Sequence, residues 1–455
     1  MYNVFKSMFQ HLSVLDSFLW ACVGIPIILL CGSFFCFRAR WFHIRRFKSI
    51  THFFFSTLKT KEPHHGVSPL KAFFASIAGC ISIGNMVGVC AAINIGGPGS
   101  LFWMWIASIL GMVVKYSEIY LGITYRVKND LLDSYDGGPM YYLKKVDPSL
   151  FLSKAFCIAL CIYGAEIYMF RVVTHTIVET WQWNHIAVVI GLLSLVLWTT
   201  KKGIESVGNI SSIIIPVFLI SFSSVSFWFF VKKSHLIIPT LKLIFKSAFT
   251  GHAAVGAFAG SSLIVTMSQG MKRACYSADI GVGCASVIMS EAEITSTVER
   301  QAAMAGIFST FIDTFIVSTT SFLLVSISGL WSQGIHESRM VSTALSTYIP
   351  HMDFIWPIFI FLLGFSSIIS YFSAGQKAAY FLGNQRGKSF YTLYATCAFL
   401  FCSFVGSEEH IMTIMSTCGI ILLLINVYGI FRLRHMLSFD LSAHPSMDIV
   451  DRKQT

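Results

Sequence analysis

Glycines recur at short intervals in the apolar segment from Gly79 to Gly99, at Gly79, Gly84, Gly88, Gly96 and Gly97. A helix that breaks at such glycines frees backbone N–H and C=O groups, which an apolar environment cannot satisfy. An enclosed ligand can satisfy them, because N–H groups at the amino end of a half-helix suit a carboxylate and freed carbonyls suit a cation. The alternative interpretation is that the glycines only allow helices to pack closely.

The composition indicates that membrane helices position this segment. Of the 455 residues, 55% are hydrophobic and only 12% are charged, and the mean hydropathy is +0.68. Soluble chains carry about a quarter charged residues. The formal net charge of +11 comes from Lys and Arg residues between apolar runs, which favours a membrane protein over one that binds nucleic acid. The sequence has no P-loop pattern and no C-x-x-C metal spacing, so we expect no enzyme, no organic cofactor and no evident protein partner.

Apolar windows of about 20 residues predict roughly eleven membrane helices. Their approximate ranges are 17–37, 71–95, 99–125, 153–177, 185–200, 208–231, 245–267, 302–329, 352–374, 389–407 and 410–433. Basic residues follow the first span, and because positive loops stay in the cytoplasm, the amino terminus is predicted outside and the carboxyl terminus inside. One connection departs from this rule by placing lysines outside, namely Lys232, Lys233, Lys242 and Lys246.

Ten spans remain when the first is set aside, and they form two sets of five that enter the membrane from opposite sides. Each set begins with a glycine-interrupted span, the second one through Gly251, Gly256, Gly260 and, just beyond the span, Gly270. Interrupted helices at matching positions of two halves are typical of inverted-repeat transporters with a site at the midplane. The predicted domains are therefore an extra helix with a basic cytoplasmic loop (1–70), two five-helix repeats (71–240 and 241–435) and a cytoplasmic tail (436–455).

A series of local motifs follows in a fixed order between about residues 75 and 385. They are Gly84-Asn85, Gly88-Val89, Gly96-Gly97-Pro98-Gly99, Phe102-Trp103-Met104-Trp105, Gly137-Gly138-Pro139-Met140-Tyr141-Tyr142, Gly270-Met271-Lys272-Arg273, Phe311-Ile312-Asp313-Thr314 and Phe365-Ser366-Ser367-Ile368-Ile369. In these motifs the chain resembles the sodium:alanine/glycine symporter family. The resemblance implies an all-α, LeuT-type fold of five-plus-five inverted helices with one extra amino-terminal helix. It also implies symport of a small neutral amino acid with Na⁺ by alternating access across a cell membrane, which in bacteria is the inner membrane.

The resemblance also suggests which residues bind the cargo and the ion. The substrate-binding candidates are Gly84, Asn85, Ser82, Ile83, Tyr168, Phe258 and Tyr371. Ser366 and Ser367 align with a Ser-Thr pair that helps to hold Na⁺ in the family. Backbone carbonyls near Cys80 and Ile83 would add the oxygen ligands that a hard cation prefers. The alternative for each serine is a hydrogen bond to the i−4 carbonyl of its own helix.

Several residues depart from the family pattern. Ser82 and Ile83 stand where the family has Gly and Thr, and Tyr371 replaces a Trp. Glu166 and Arg171 lie where the family has the amides of a Gln-x-Asn signature. They can serve the function or pair structurally, or Arg171 can extend to the outer membrane interface. The departures leave open a carrier retuned for a different amino acid or small solute, one uncoupled from ions, and a proton-coupled variant. A channel is a further alternative, although paired interrupted helices favour alternating access.

Other charged residues fall within or beside the predicted spans. Lys115 and Glu118 are three residues apart on one helical face, so we expect them to neutralise each other. Asp313 is expected to face the bundle interior, with an ion or proton role left open, and Asp279 is expected in a cytoplasmic gate.

Overall fold

The computed structural model describes residues 2–58, 67–129, 134–250, 263–294, 297–404 and 408–441. The helices in these ranges are α1 (Tyr2–Leu19), α2 (Ile25–Arg38), α3 (Phe42–Arg45), α4 (Phe47–Thr57), α5 (Pro69–Cys80), α6 (Val87–Gly96), α7 (Ser100–Thr124), α8 (Pro139–Val146), α9 (Phe151–Tyr163), α10 (Ile167–Trp181), α11 (His185–Lys201), α12 (Ile204–Lys232), α13 (Ser234–Thr250), α14 (Leu263–Ser277), α15 (Cys284–Met289), α16 (Val298–Ala303), α17 (Thr319–Ser328), α18 (Glu337–Ser346), α19 (Met352–Phe404) and α20 (Glu408–Arg432). The all-α prediction misses one small element, an antiparallel pair of strands, β1 (Val127–Asn129) and β2 (Ser134–Asp136).

Among the described residues, seven helical stretches are long and apolar enough to cross a membrane. They are His11–Arg38, Ser100–Thr124, Phe151–Trp181, Ile204–Lys232, Val298–Ser328, Met352–Phe404 and His410–Arg432. The helices α5, α6 and α11 are shorter and also apolar. Non-helical dihedral angles at Gly383 and Asn384 divide α19 in two, as the separate predicted spans 352–374 and 389–407 require. The chain is therefore a multi-pass membrane protein.

The first predicted interruption is confirmed, because α5 ends at Cys80 and α6 begins at Val87. Ile81 and Ser82 between them are extended, and a short 3-10 turn covers Ile83–Asn85. A side chain added at Gly84 or Gly88 would overlap a neighbouring side chain, so the glycines in this segment also allow close packing. Both interpretations of the glycines hold within one segment.

A further interruption of the described chain follows the predicted span 245–267. Gly251, Gly256 and Gly260 fall outside the described residues, and the described part of the span 245–267 belongs to α13 and α14. Helix α14 continues to Ser277, and the chain then leaves the helix before α15 begins at Cys284. The intervening segment, residues 278–283, reaches positive φ angles at Asp279, Gly281 and Gly283. These glycines make the break possible, because only glycine adopts positive φ without steric cost.

The packing brings the two interrupted helices together. Helix α5 packs against α12, α15 and α19, while α14 packs against α6 and α7. The helical stretch before α17 contains two π-helical segments, Met304–Phe308 and Phe311–Ser318, and the second contacts the 3-10 turn of the first interruption. Local π-helix widens the backbone and is common at functional sites. The buried centre of the bundle therefore surrounds both interruptions.

Candidate functional site

The non-helical turn of the first interruption is held by its own polar side chains. The backbone N–H of Ser82 donates to Asn85 Oδ1 at 2.8 Å, and the N–H of Gly84 donates to Ser82 Oγ at 3.1 Å. This reciprocal arrangement is a capping box, which satisfies N–H groups that the helix break would otherwise leave free. Ser82, which departs from the family pattern, thus stabilises the turn directly.

Asn85 also connects the turn to the second half of the chain. Its Nδ2 lies within hydrogen-bonding distance of Ser277 Oγ (3.0 Å), Asp313 Oδ1 (2.5 Å) and Ser318 Oγ (2.9 Å). Asp313 accepts further hydrogen bonds from Ser277 Oγ at 2.7 Å and Thr314 Oγ1 at 2.9 Å. Asp313 is fully buried, so its predicted place in the bundle interior is confirmed. Ser277 and Ser318 were not singled out in the sequence, because isolated serines in apolar helices carry no signal.

The remaining substrate candidates lie in different surroundings. Ile83 is fully buried and packs beside Gly364 of α19. Tyr371 packs against Gly79, near the carboxyl end of α5, and donates to Asp279 Oδ1 at 3.3 Å. Tyr168 is half-buried. Phe258 lies outside the described residues.

The two serines proposed for Na⁺ differ in their contacts. The Ser367 hydroxyl donates to Ala78 O at 2.7 Å and also lies 3.4 Å from Ile81 O, at the carboxyl end of α5. Ser367 Oγ also lies 2.9 Å from Leu363 O, the i−4 carbonyl of its own helix, so the alternative interpretation applies to it as well. The hydrogen bonds of the Ser366 hydroxyl are to Leu362 O and Leu363 O of its own helix. The structure therefore brings Ser367, and not Ser366, to the first interruption. The carbonyls that Ser367 reaches are those of Ala78 and Ile81, not those of Cys80 and Ile83.

One further serine on this face of α19 was missed by the sequence reasoning. Ser370 follows Ser367 by three residues, and its hydroxyl donates to Ala75 O of α5 at 2.7 Å. Its position one helical turn after Ser367 is the signal that could have identified it. Among the described residues, no cluster of three His, Cys, Asp or Glu side chains could hold a metal ion. The groups that Ser367 and Ser370 bring together at α5 are hydroxyl and carbonyl oxygens.

Lys115 and Glu118 are electrostatic neighbours, as predicted, but they form no ion pair among the described residues. The Lys115 ammonium lies 2.9 Å from Cys80 Sγ and donates to Ala278 O at 2.7 Å and Ser309 Oγ at 3.2 Å. Glu118 instead accepts from Asn426 Nδ2 at 2.7 Å. Lys115 thus joins the carboxyl ends of α5 and α14, where each helix breaks.

Asp279 lies in the second interruption itself. Its Oδ2 accepts from the backbone N–H of Ala285 at 2.7 Å, which anchors the carboxylate at the start of α15. Beyond α15, Lys377 pairs with Asp136 at 2.7 Å and with Glu291. These ion pairs connect α19 to the strand pair and to the segment after α15, whereas Asp279 contacts α19 through Tyr371. The place of Asp279 in a cytoplasmic gate stays a prediction.

Glu166 interrupts a third helix. It separates α9 from α10 in a left-handed conformation with φ of 48°, although it is not glycine, and its side chain is only 1% exposed. One carboxylate oxygen, Oε1, has no hydrogen-bond partner. Strained backbone of this kind at a buried polar residue is typical of a ligand site. The alternative prediction, a pair between Glu166 and Arg171, is wrong: among the described residues the two form no ion pair. Arg171 instead donates to the Cys402 carbonyl at 2.5 Å.

Arg273 was noted in the sequence only as part of a motif, yet it lies on the first interruption. Its guanidinium covers Gly84 and Gly88 so closely that a Cβ on either glycine would overlap it. The side chain is 6% exposed, and Nε has no partner. The Gly84-Gly88 spacing of one helical turn is the signal that could have predicted a close neighbour on this face.

Comparisons with known proteins agree with this architecture. The model of the sodium:alanine symporter family matches residues 5–447. The sodium/alanine symporter AgcS of Methanococcus maripaludis is 27% identical over 410 residues, which cover 88% of each chain. YflA, an uncharacterized transporter of Bacillus subtilis, is 31% identical over 329 residues, or 71% of this chain and 68% of that protein.

Two solved structures share the fold at low sequence identity. MhsT in complex with L-phenylalanine superposes with a TM-score of 0.52 and 12% identity, over 82% of this chain and 99% of MhsT. A manganese transporter of Eremococcus coleocola gives the same TM-score with 14% identity, over 82% of this chain and 81% of that protein. Both are LeuT-fold transporters, so the LeuT-type fold predicted from the sequence is confirmed at this level.

Proposed function

The chain belongs to the sodium:alanine symporter family, and from this premise we propose that it imports a small neutral amino acid of the alanine or glycine type together with Na⁺. The family consists of transporters and not of enzymes. Two relatives support this cargo and ion by name: AgcS is a sodium/alanine symporter, and YrbD of Bacillus subtilis is a putative sodium/proton-dependent alanine carrier. Na⁺ is the proposed coupling ion, and the amino acid and membrane lipid are the proposed partners.

The contact between Ser367 and the carboxyl end of α5 carries this proposal. The Ser367 hydroxyl and the carbonyls of Ala78 and Ile81 form a group of oxygens at the point where a helix stops. A hard cation prefers such oxygens. The end of α5 adds the partial negative charge of a helix carboxyl terminus. Binding Na⁺ here would tie α19 to α5 and so couple the ion to the arrangement of the interrupted helix.

The proposed architecture follows from the same elements. We take α5 with α6, and α14 with α15, as the interrupted first helices of two inverted repeats within 71–240 and 241–435. The helix from His11 to Arg38 is the extra one that precedes them. Eleven spans, an amino terminus outside and a carboxyl terminus in the cytoplasm are supported by the distribution of basic residues. Alternating access would rearrange the repeats around the two interruptions.

Uptake by reconstituted protein tests the proposal. Proteoliposomes are loaded so that an inward Na⁺ gradient can be imposed, and uptake of labelled alanine is compared with and without it. We expect the gradient to drive accumulation. Equilibration that does not depend on Na⁺ would overturn the symport proposal, and the absence of saturable uptake for any amino acid would overturn amino-acid transport.

Ser367→Ala tests the ion site within the same assay. We expect a roughly tenfold or greater rise in the Na⁺ concentration that half-saturates uptake, because a hydroxyl ligand is lost at a buried site. Ser373→Ala is the matched control on α19, since the Ser373 hydroxyl bonds only its own helix, at Ile369 O. An unchanged Na⁺ dependence in Ser367→Ala would remove this serine from the ion site.

A second candidate function is a retuned carrier whose cargo is an amino acid other than alanine or glycine. The buried and partly unpartnered carboxylate of Glu166 favours it, because such a group is suited to a polar cargo and not to a methyl group. Competition of alanine uptake by the other amino acids separates the two candidates. Proton coupling would be revealed in the same vesicles by an imposed pH gradient that replaces the Na⁺ gradient.

A further inference from the structure

Arg273 is a buried cation at the amino end of a broken helix. It lies near the carboxyl end of α14, and its guanidinium rests on the backbone of Gly84 in the 3-10 turn and of Gly88 at the start of α6. The absence of side chains at these two positions lets the guanidinium approach the main chain directly. The position of the guanidinium therefore depends on three residues, Arg273 itself and the glycines at 84 and 88.

No acidic side chain of the described residues pairs with this guanidinium. Ion pairs within 4.0 Å are found for other basic residues, such as Lys272 with Asp16, but none includes Arg273. Asp313 is an electrostatic neighbour, yet its oxygens accept hydrogen bonds from Asn85, Ser277 and Thr314. A buried charge without a counter-charge is strongly unfavourable. Among the described residues, the guanidinium therefore has the carboxylates of Asp313 and Glu166 as electrostatic neighbours but none as an ion-pair partner, and it lies over the ring of Tyr276.

The start of α6 favours an anion at the same place. This ten-residue helix begins at Val87, and its N-cap residue, Met86, supplies no side-chain acceptor. The capping box of Ser82 and Asn85 serves the preceding 3-10 turn instead. The amino end of a helix carries partial positive charge and free N–H donors. The guanidinium of Arg273 and the amino end of α6 thus place positive charge and N–H donors side by side, next to Gly88.

We propose that Arg273, with the amino end of α6, binds the carboxylate of the transported amino acid. The inference rests on the proposed transport of amino acids and deepens it, because it names the side chain that recognises the anionic end of the cargo. A guanidinium forms two parallel hydrogen bonds with a carboxylate and discriminates against a neutral carboxamide. The site then selects solutes that carry a carboxylate, whatever their side chain.

The test compares each transported amino acid with its own carboxamide. Competition against labelled cargo is measured in proteoliposomes for the wild type, Arg273→Gln and Arg273→Lys. We expect the wild type to prefer the carboxylate and Arg273→Gln to lose about 10- to 100-fold of that preference, because a charged hydrogen-bonding partner is gone. Arg273→Lys keeps the charge without the planar fork, so it should recover part of the preference.

Lys272→Gln is the matched control, since it removes the adjacent positive charge on the same helix, which pairs with Asp16 instead. It should leave the preference unchanged. Thermal unfolding in detergent confirms that each variant is folded, and binding of the cargo to solubilised protein replaces uptake if a folded variant does not transport. Arg273→Gln that keeps the wild-type preference overturns the inference alone. Failure of the wild type to bind any amino acid overturns the proposed function and, with it, the inference.

Chloride is the other source of an anion for this site, and a second arm distinguishes it. Uptake is repeated in sulfate medium without chloride. If the anion at the site is the carboxylate of the cargo, uptake by the wild type should be the same in sulfate medium as in chloride medium. Uptake that requires chloride in the wild type but not in Arg273→Gln, with the carboxylate preference intact, would assign the site to chloride and overturn the inference.

Discussion

Two buried cations lie at opposite ends of the broken helices, and they differ in what surrounds them. Lys115 is fully buried at the carboxyl ends of α5 and α14, where it contacts Cys80 Sγ, Ala278 O and Ser309 Oγ. Arg273 is almost fully buried at the amino end of α6, where it pairs with no carboxylate of the described residues.

The polarity of helix ends explains the difference. Carboxyl ends carry partial negative charge and free carbonyls, so the Lys115 ammonium is satisfied by the protein itself. An amino end carries partial positive charge, so Arg273 adds a charge of the same sign to it. The contacts of Lys115 therefore hold the two interruptions together without a ligand, whereas in our proposal a ligand completes the surroundings of Arg273.

Lys115→Met should produce the largest effect on stability. The change leaves Ala278 O and Ser309 Oγ without this donor, and it removes a positive charge that interacts with the buried carboxylates of Asp279 and Glu118. Removing one partner from such a buried group costs about 3–5 kcal/mol. The free energy of unfolding, measured by denaturant titration in mixed micelles, should fall by that amount.

Lys145→Met provides the control for this prediction, because Lys145 is an exposed lysine on α8. Its free energy of unfolding should change by about 0.5 kcal/mol or less. A Lys115→Met protein as stable as this control would show that the ammonium does not hold the interruptions together.

Arg273→Met should change stability in the opposite direction. The ligand-free protein no longer buries an uncompensated charge, so its free energy of unfolding should rise by roughly 2 kcal/mol. Saturating cargo should reduce the difference in the free energy of unfolding between Arg273→Met and the wild type, because the cargo stabilises the wild type more than the variant. Titrations with and without alanine measure both quantities. A variant destabilised without ligand would show that the protein already neutralises Arg273, and the contrast with Lys115 would disappear.

The first interruption could be predicted from the sequence, because its signal is local. Closely spaced glycines in an apolar run predict a helix break, and the structure has one between α5 and α6. The break after α14 was not predicted, because hydropathy favours residues 245–267, whereas α14 carries the half-buried Gln269 and Lys272 and the buried Arg273. A helix that buries its polar residues has no apolar window to detect.

The partners of the charged residues could not be predicted, because they come from distant parts of the chain. Spacing along one helix suggested that Lys115 pairs with Glu118, but Lys115 reaches Cys80, Ala278 and Ser309 on other elements. Ser366 and Ser367 are adjacent in sequence, yet only Ser367 reaches α5, because successive helical positions point about 100° apart. Such contacts depend on how the helices pack.

Glu166 offers the sharpest test of the contrast between Lys115 and Arg273, although the coupling energy expected from it is the smallest effect. It is an electrostatic neighbour of Arg273, although the two do not form an ion pair. A double-mutant cycle of Glu166→Gln and Arg273→Met measures their coupling in the ligand-free protein. The reference is the cycle of Asp16→Asn and Lys272→Met, whose side chains pair at 2.6 Å. We expect a coupling of about 0.5 kcal/mol for Glu166 and Arg273, at the low end for neighbouring residues and below the reference. A coupling that exceeds the reference would make Glu166 the counter-charge of Arg273, and the amino end of α6 would then be balanced by the protein and not reserved for the cargo.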